Sequence, residues 1–278
     1  MLALVTCDAA IRLDTDLPLL QRELPEARIV VWDDPEVDWA AFDVVVLRSA
    51  WDYHARFEQF LAWARHVSSL TRLWNSLELV EWNTDKAYLS ELADAGIPVV
   101  TTEFVAVGQP LERLPDLTAD LVLKPSVGAG ANGAVRTHGD AALARRHIST
   151  LHAAGRTVMV QPYLHEVDSA GETGLVFLGG QFSHAFGKAA ILTGAVVYEE
   201  GLFAEERIER RVATAAEVAV GERVVASLGP TAYARVDLLP SDDGPVVLEV
   251  EVIEPSLYLS FDSGAAERAA SVFRSLAP

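Results

Sequence analysis

The three lysines of this chain are the residues whose type and setting point most directly to chemistry. Among 22 basic residues, only Lys86, Lys124 and Lys188 are lysine, and the others are arginine. Each lysine has small or apolar neighbours, as in Val-Leu-Lys-Pro around Lys124. A compact ammonium acts as a point charge toward phosphate, whereas the arginine guanidinium is a flat fork. The pattern favours a phosphate site; the alternative is that three lysines were simply left over in an arginine-rich chain.

A β-hairpin is predicted near the C-terminus. Residues 234–238 and 247–252 alternate apolar with charged side chains, the period-two pattern of strands with one buried face. Asp242-Asp243-Gly244 supplies the turn between them. The apolar face is expected to carry Val236, Leu238, Leu248, Val250 and Val252.

The charged face of this hairpin predicts a metal site. A turn near residue 243 pairs Asp237 with Glu249 and Arg235 with Glu251. Like charges placed opposite each other are unfavourable unless something compensates them. A divalent cation does so, and Mg²⁺ commonly binds one or two carboxylates together with substrate phosphates. The alternative is a solvated acidic face with an Arg–Glu surface pair.

A second hairpin is predicted to turn at Gly179-Gly180. This turn brings Glu172 almost opposite Lys188. The pair could serve a ligand site, or it could be an ordinary cross-strand salt bridge.

A glycine-rich loop lies between Lys124 and Arg136, with glycines at Gly128, Gly130 and Gly133. Such a loop can bring backbone N–H groups close to phosphates. It is neither a Walker loop nor a dinucleotide-binding fingerprint, and by itself it is more often a plain loop. Further on, a buried strand over 157–164 breaks at a proline, which leaves backbone groups free to bind a ligand.

The elements that must position these residues alternate between strand and helix in the first third of the chain, which predicts a small α/β layer. A helix is predicted to start at Thr84 as N-cap and to end at Gly96, with Lys86 in its first turn. Because a cation there opposes the helix dipole, a ligand explains it better than helix stability does. The C-terminal part reads as largely antiparallel α+β. The predicted strands lie at 2–6, 28–32, 43–47, 71–74, 99–105, 120–124 and 157–161, and the other helices at 15–24, 53–68, 140–153 and 264–276.

Composition limits the class of protein. The chain has 278 residues, 50% of them hydrophobic, so it can bury a core, and at this length two domains are expected instead of one. Its net charge of −18 argues against nucleic acid and anionic membranes as partners. Cys7 is the single cysteine, which leaves no internal disulfide. With neither a signal peptide nor a membrane span apparent, a cytoplasmic location is expected.

In order and spacing, these residues resemble the ATP-grasp superfamily. The likeness covers about residues 74–278, and within the superfamily it is to glutathione synthetase-like ligases, including the O-ureido-serine cyclo-ligases of cycloserine biosynthesis. Leu-Arg-Ser-Ala-Trp at 47–51 and Glu-Pro-Ser-Leu at 254–257 contribute to it. The resemblance implies an ATP-grasp fold preceded by a small Rossmann-like N-terminal domain. The expected domains are residues 1–73, 74–160 and 161–278.

The resemblance also implies a role for each candidate residue. ATP would be the nucleotide, and Mg²⁺ the metal, for which Mn²⁺ could substitute. Arg235 and Lys188 would be the catalytic cations, and the metal ligands would be Asp237, Glu249 and Glu251, the last at a position where the family usually has Asn. The expected ATP-binding residues are Lys86, Lys124, Ser126, Gly128, Gly130, Gly133, Gln161, Tyr163, Leu164 and Glu172.

Substrate contacts are expected after two strands. Arg48, Ser49 and Trp51 follow a buried strand, at the edge where α/β sheets bind ligands. The remaining candidates are Glu254, Ser256 and Tyr258 after the acidic strand, and His184 and Lys188 within the second hairpin. Core packing is the alternative role for Trp51, and a solvated strand position for His184.

The family chemistry implies that a carboxylate is activated as an acyl phosphate and that an amine then displaces phosphate. The partners would be small-molecule carboxylate and amine substrates, and a homodimer is compatible because dimers are common among the relatives. Three other classes stay open: a non-catalytic nucleotide-binding module, a phosphotransferase without ligation, and an acidic interaction protein.

Overall fold

The N-terminal part of the chain forms a parallel sheet, as the alternating pattern predicts. The computed structural model describes residues 1–110, 116–128, 133–190 and 207–277, so the predicted loop glycine Gly130 lies outside the described residues. The strand order is β2-β1-β3-β4, and all pairs are parallel. Its elements are β1 (Leu2–Thr6), α1 (Leu17–Glu23), β2 (Arg28–Val31), β3 (Val44–Ser49), α2 (Phe57–Leu70) and β4 (Arg72–Trp74), with short 3-10 turns at Trp39–Ala41 and Tyr53–Ala55.

A four-stranded antiparallel sheet forms the middle of the molecule, with strand order β5-β8-β6-β7. Helix α5 packs on it through Ala144, Ile148 and Leu151. Asp140 begins α5 by accepting from the amides of Ala142 and Leu143. The elements are α3 (Leu77–Asn83), α4 (Tyr88–Asp94), β5 (Glu103–Val105), β6 (Leu121–Pro125), β7 (Val135–Arg136), α5 (Ala141–Ala153), β8 (Val158–Pro162) and α6 (Val167–Ala170).

The C-terminal part is an antiparallel sheet of order β11-β10-β9-β12-β13. Helix α7 packs on one face of this sheet, and α8 packs on the other. The elements are β9 (Glu172–Leu178), β10 (Gln181–Lys188), β11 (Ile208–Arg211), α7 (Ala215–Leu228), β12 (Tyr233–Leu239), β13 (Val246–Glu251), a 3-10 turn at Leu259–Phe261 and α8 (Ala265–Ser275).

One hydrophobic core joins the first and last sheets. Leu4 and Val46 of the parallel sheet pack in the same cluster as Val176, Phe186 and Phe273. Because burial of these side chains excludes water from both sheets together, it fixes the end of β3 relative to β12 and β13. Among the described residues, no helix combines the length and apolar character that crossing a membrane requires.

The prediction of a helix beginning at Thr84 is wrong. Ser76 is the N-cap of α3 and accepts from the Leu79 amide, and Thr84 ends that helix as its C-cap. Lys86 therefore lies in the turn between α3 and α4, where its amide donates to the Ser126 carbonyl at 2.9 Å. Thr84 is a good capping type on sequence grounds, but tertiary packing placed the break two residues before Lys86.

The register predicted for the acidic hairpin is confirmed, with one local exception. Asp237 pairs with Glu249 and Arg235 with Glu251. A bulge then shifts the register, because Leu238 pairs with Val247 instead of Leu248. Val247 consequently takes the core position, and Leu248 borders the cleft instead of the apolar face expected for it. The second predicted pair, Glu172 with Lys188, is also present.

Candidate active site

A cleft opens where the three sheets meet, and most of the predicted site residues line it. They come from β6, β8, β9, β10, β12 and β13, from the turn between α3 and α4, and from the loops after β3, β6, β8 and β13. The predicted residues that line the cleft are Trp51, Lys86, Lys124, Gly128, Gln161, Tyr163, Leu164, Glu172, Lys188, Arg235, Asp237, Glu249, Glu251, Glu254, Ser256 and Tyr258.

Two of the three lysines form ion pairs with carboxylates. Lys86 Nζ lies 2.9 Å from Glu249 Oε1 and donates to the Gly128 carbonyl at 2.6 Å. Lys188 Nζ lies 2.8 Å from Glu172 Oε1 and 2.7 Å from Asp237 Oδ2. These lysines therefore neutralise acidic residues of the same cleft.

Lys124 differs from the other two. It projects from β6 into the cleft, yet no carboxylate in the described part of the chain lies within ion-pair distance of its ammonium. Burial lowers the pKa of Lys124, and the charges of Lys86 and Lys188 lower it further, while Glu249 opposes them. A cation in this setting is electrostatically suited to an incoming anion.

Arg235 and its neighbours form a buried ion group in the site. The guanidinium donates to both Asp237 oxygens, with Nη2 at 2.8 Å from Oδ2, and it also contacts the Glu251 carboxylate. Burial would raise the pKa of Asp237, but Arg235 and Lys188 outweigh it and hold that pKa well below its usual range. Asp237 is therefore a carboxylate at any physiological pH.

Two other acids of the cleft are less firmly ionised. Burial raises the pKa of Glu172 to about 7, although Lys188 opposes the shift. Burial likewise raises the pKa of Glu251 to about 7, against the attraction of Arg235. Both groups can therefore change charge near neutral pH when a cation or an anion enters the cleft.

The segment that follows β8 forms one wall of the cleft. Gln161 is buried and donates from Nε2 to Thr102 Oγ1 at 2.8 Å, and its neighbours Tyr163 and Leu164 border the cleft. The guanidinium of Arg136 lies 3.3 Å from the ring centroid of Tyr163. This stacking, with a hydrogen bond from the Tyr163 hydroxyl to Asp168, fixes the segment's orientation.

Three predicted substrate contacts do not reach the cleft. Arg48 and Ser49 are fully buried, with Arg48 donating to the Pro255 carbonyl and Ser49 bonded to Thr6. His184 is buried with its Nε2 2.8 Å from the Leu257 carbonyl oxygen. Trp51, two residues after β3, lines the cleft, whereas Arg48 and Ser49 at the end of the strand are buried. Ser126 and Gly133 also lie outside the lining residues, since Ser126 is buried and Gly133 packs against Pro125.

Sequence reasoning missed two residues that hold the acidic strand in place. Strand β13 is an edge strand, and Asn83 donates to the Val250 carbonyl at 2.7 Å and accepts from the Val252 amide at 3.0 Å. Tyr88 bonds the Val250 backbone as well. A buried asparagine must satisfy its amide, and the repeated Trp-Asn pair at 74–75 and 82–83 was the available signal.

The acids of the cleft are chemically suited to a hard cation. Asp237, Glu249 and Glu251 offer carboxylate oxygens, the ligands that Mg²⁺ prefers. In the described ranges, however, no three His, Cys, Asp or Glu side chains are grouped to hold a metal ion. The reason is that each of these carboxylates is turned toward Lys86, Lys188 or Arg235.

Comparison with known proteins finds relatives of this chain. Residues 2–75 match the family model of the N-terminal domain of the D-cycloserine synthetase DcsG. The chain is 38% identical to the cycloserine biosynthesis protein DcsG of Streptomyces lavendulae, over 96% of each chain. The crystal structure of D-cycloserine synthetase DcsG superposes with a TM-score of 0.88 at 36% identity, covering 100% of this chain and 99% of that one.

A more distant structure shows the same fold. The ATP-grasp ligase PsnB, complexed with a phosphomimetic variant of its minimal precursor, Mg and ADP, matches with a TM-score of 0.63 at 19% identity. The match covers 99% of this chain and 97% of PsnB. The likeness to DcsG over almost the whole chain shows that this chain belongs to the family of the D-cycloserine synthetase DcsG, and the chain has the ATP-grasp fold.

Proposed function

We propose that this protein is an ATP-dependent carboxylate–amine ligase that forms ADP and works through an acyl phosphate. Its substrate would be a small amino-acid-like or peptide molecule, and ring closure would result where carboxylate and amine belong to one molecule. The sequence identity of 38% with DcsG supports this proposal, because that relative is named for cycloserine biosynthesis. The match extends over 96% of each chain and is not confined to one domain.

The observation that carries the proposal is the arrangement of cations around Lys124. Lys86, Lys188 and Arg235 line the same cleft as Lys124, and Lys124 has no ion-pair partner among the residues that the structure describes. A triphosphate is an anion that can use all four cations. Its arrival also gives Lys86 and Lys188 a new partner, so that Glu249 and Asp237 become free to bind a metal.

ATP would lie along the wall formed by β6 and β8. The segment from Gln161 to Leu164 would take the adenine, and Glu172 the ribose hydroxyls. Lys86 and Lys124 would bind the phosphates, with Gly128 at the mouth of the phosphate loop. Support for this placement comes from the fact that all these residues line the same cleft.

Mg²⁺ would be held by Asp237 and Glu249, with Glu251 as a third oxygen donor. When bound, the ion offsets negative charge on the phosphates. The protein's own contribution is to position these acids, and the backbone clamp from Asn83 and Tyr88 onto β13 supports that role.

The proposed reaction has two balanced steps. A carboxylate oxygen attacks the γ-phosphorus, the bond to ADP breaks, and an acyl phosphate forms. The amine then attacks the acyl carbon, inorganic phosphate leaves with one former carboxylate oxygen, and the amine loses a proton. Arg235 would donate hydrogen bonds to the transferred phosphoryl group, beside Lys188, because positioning and electrostatics dominate such transfers.

The acid and amine would bind at the end of the cleft opposite the adenine. Support for this comes from Trp51, Glu254 and Ser256, which line the cleft and come from the loops after β3 and β13, not from the strands that would hold the nucleotide. The N-terminal residues 1–73 would therefore act as a substrate domain. If both reacting groups belong to one molecule, proximity assists the second step.

The proposal is tested by measuring ADP release with Mg-ATP against a panel of amino acids and O-ureido-serine, with mass analysis of the product. Lys124→Ala is the blank. The proposal expects release that depends on one carboxylate and a product at the combined substrate mass minus water. A product that retains phosphate would instead identify a phosphotransferase, and ATP binding without any turnover would identify a binding module.

A further inference from the structure

The segment Glu254–Leu259, which follows the acidic strand, is held by hydrogen bonds to side chains, and three of these, Asp16, Arg48 and His184, do not line the cleft. We propose that Asp16, 242 residues from Tyr258 in sequence, is a positioning residue for this segment and so controls binding of the carboxylate substrate. The substrate part of this inference rests on the proposed function, whereas the structural part does not.

The Asp16 carboxylate accepts three backbone hydrogen bonds from the segment. Oδ2 accepts from the Leu257 amide at 2.7 Å and from the Tyr258 amide at 3.1 Å, and Oδ1 accepts from the Leu259 amide at 2.8 Å. Only 2% of the Asp16 side chain is exposed, so these bonds are shielded from competing water. A buried carboxylate with three amide donors is a strong and directional clamp.

The clamp coincides with an unusual backbone conformation. Tyr258 has φ 48° and ψ 46°, in the left-handed region that residues with a Cβ rarely adopt. Its ring packs 4.4 Å from that of Phe186, centroid to centroid, and the residue borders the cleft. Strain of this kind persists only where the surroundings over-determine it, and it concentrates at functional sites. The three bonds to Asp16 supply that determination.

Other bonds to the same segment explain why Asp16 sets its position. Arg48 Nη2 donates to the Pro255 carbonyl at 3.0 Å and lies 4.0 Å from Asp16 Oδ2. Trp51 Nε1 donates to the Glu254 carbonyl at 2.9 Å. These partners and His184 all bond carbonyls, whereas Asp16 bonds amides. Asp16 thus completes the pattern, and Glu254, Ser256 and Tyr258 are presented to the cleft together.

Burial raises the pKa of Asp16, as does the nearby Asp14, while Arg48 and the amides of Leu259 and Leu257 lower it. Arg48 therefore has a second effect, because it favours the carboxylate form that the three amides require. Asp16 makes the hydrogen bonds to the segment, and Arg48 favours the ionised form of Asp16, so the clamp depends on both residues.

The test is hydrogen exchange of the amides of 257–259, measured in the wild type, in Asp16→Asn and in Asp140→Asn. Asp140 is the matched control, because it is also an aspartate that accepts backbone amides, at the start of α5. We expect slow exchange of these amides in the wild type and in the control, and exchange faster by about tenfold or more in Asp16→Asn. Equal protection in Asp16→Asn and the wild type would overturn the inference. Fast exchange of these three amides in the wild type would also overturn the inference, and that measurement requires no variant.

A kinetic split separates positioning from loss of structure. Using O-ureido-serine, or whichever panel acid supports ADP release, Asp16→Asn should raise the KM for that acid about tenfold or more, while the Kd for Mg-ATP stays within about twofold. A comparable rise in the KM for the acid and in the Kd for Mg-ATP would mean a general structural role for Asp16 and would contradict the inference. If no acid supports release in the wild type, the proposed function fails, but the exchange result still decides the clamp.

Discussion

Lys188 Nζ lies 2.7 Å from Oδ2 of Asp237. The carboxylate proposed to bind the metal is therefore already paired with an ammonium group. Arg235 contacts the same oxygen at 2.8 Å. A metal ion entering alone must compete with both cations in a buried setting, whereas a triphosphate can draw the lysine away. Metal and nucleotide are therefore expected to bind cooperatively.

The first prediction concerns this coupling. Mn²⁺, used as a paramagnetic substitute for Mg²⁺, should bind the protein at least about tenfold more tightly in the presence of a non-hydrolysable ATP analogue than in its absence, after subtraction of the complex that Mn²⁺ forms with the analogue alone; this is a coupling of typical size for two linked sites. Electron paramagnetic resonance of free Mn²⁺ measures both affinities. Equal affinities with and without nucleotide would show that the lysine and arginine do not compete with the metal.

The second prediction concerns Lys124. Lys124→Ala should weaken ATP binding roughly 10- to 100-fold, because one charge-assisted bond to phosphate is lost. The fold should survive, since Lys124 has no ion-pair partner in the described ranges that would be left behind. Calorimetric titration with ATP measures the loss, and Arg145→Ala on α5 is the surface control. An affinity within about threefold of wild type would contradict a phosphate role for Lys124.

The third prediction concerns Asp237. Asp237→Asn should abolish turnover while nucleotide binding persists, because it removes a proposed metal ligand and leaves the proposed nucleotide-binding residues of β6 and β8 unchanged. The change also leaves Lys188 and Arg235 with less negative charge, so a loss of about 3–5 kcal/mol in unfolding free energy is expected. ADP release and chemical denaturation measure the two effects. Retention of most of the activity would rule out the metal site on this hairpin.

The fourth prediction concerns pH and lies away from the cleft. Burial lowers the pKa of His147, although the hydrogen bond from Nε2 to the Gly133 carbonyl at 2.8 Å opposes the shift. A histidine whose folded pKa is depressed stabilises the fold above its unfolded pKa and loses that contribution as pH falls. Between pH 7 and pH 5 the wild type should therefore lose more unfolding free energy than His147→Gln, which keeps a donor for Gly133. Identical losses in denaturant titrations would show that His147 does not titrate as described.

The acidic hairpin was predictable because its information is local. Alternation along Ala234–Leu238 and a turn at Asp243 set the register, and they placed Asp237 opposite Glu249. The bulge at Leu248 was not visible, because no residue in the pattern marks it. Local information also gave the wrong role for Thr84. Its residue type favours a helix N-cap, but α3 extends to Asn83 and Thr84 is its C-cap.

The second group of errors concerns long-range burial. Arg48 and His184 look like cleft residues from their neighbours in sequence, but their partners, Pro255 and Leu257, belong to a distant segment. Asp16 was overlooked for the same reason, since it lies in an ordinary acidic turn in the sequence. The packing of the two sheets decides which side chains at the end of a strand face the shared core. The residue pattern of a single strand does not contain that information.

The acyl phosphate is the centre of the account, and oxygen tracing tests it most directly. An acid that supports ADP release is labelled with ¹⁸O in its carboxylate and incubated with Mg-ATP, and the released phosphate is analysed by mass spectrometry. The account predicts that each phosphate carries one labelled oxygen, because the carboxylate oxygen that attacks the γ-phosphorus leaves with it. Unlabelled phosphate, with ADP formed at the same rate, would contradict activation of the carboxylate by ATP.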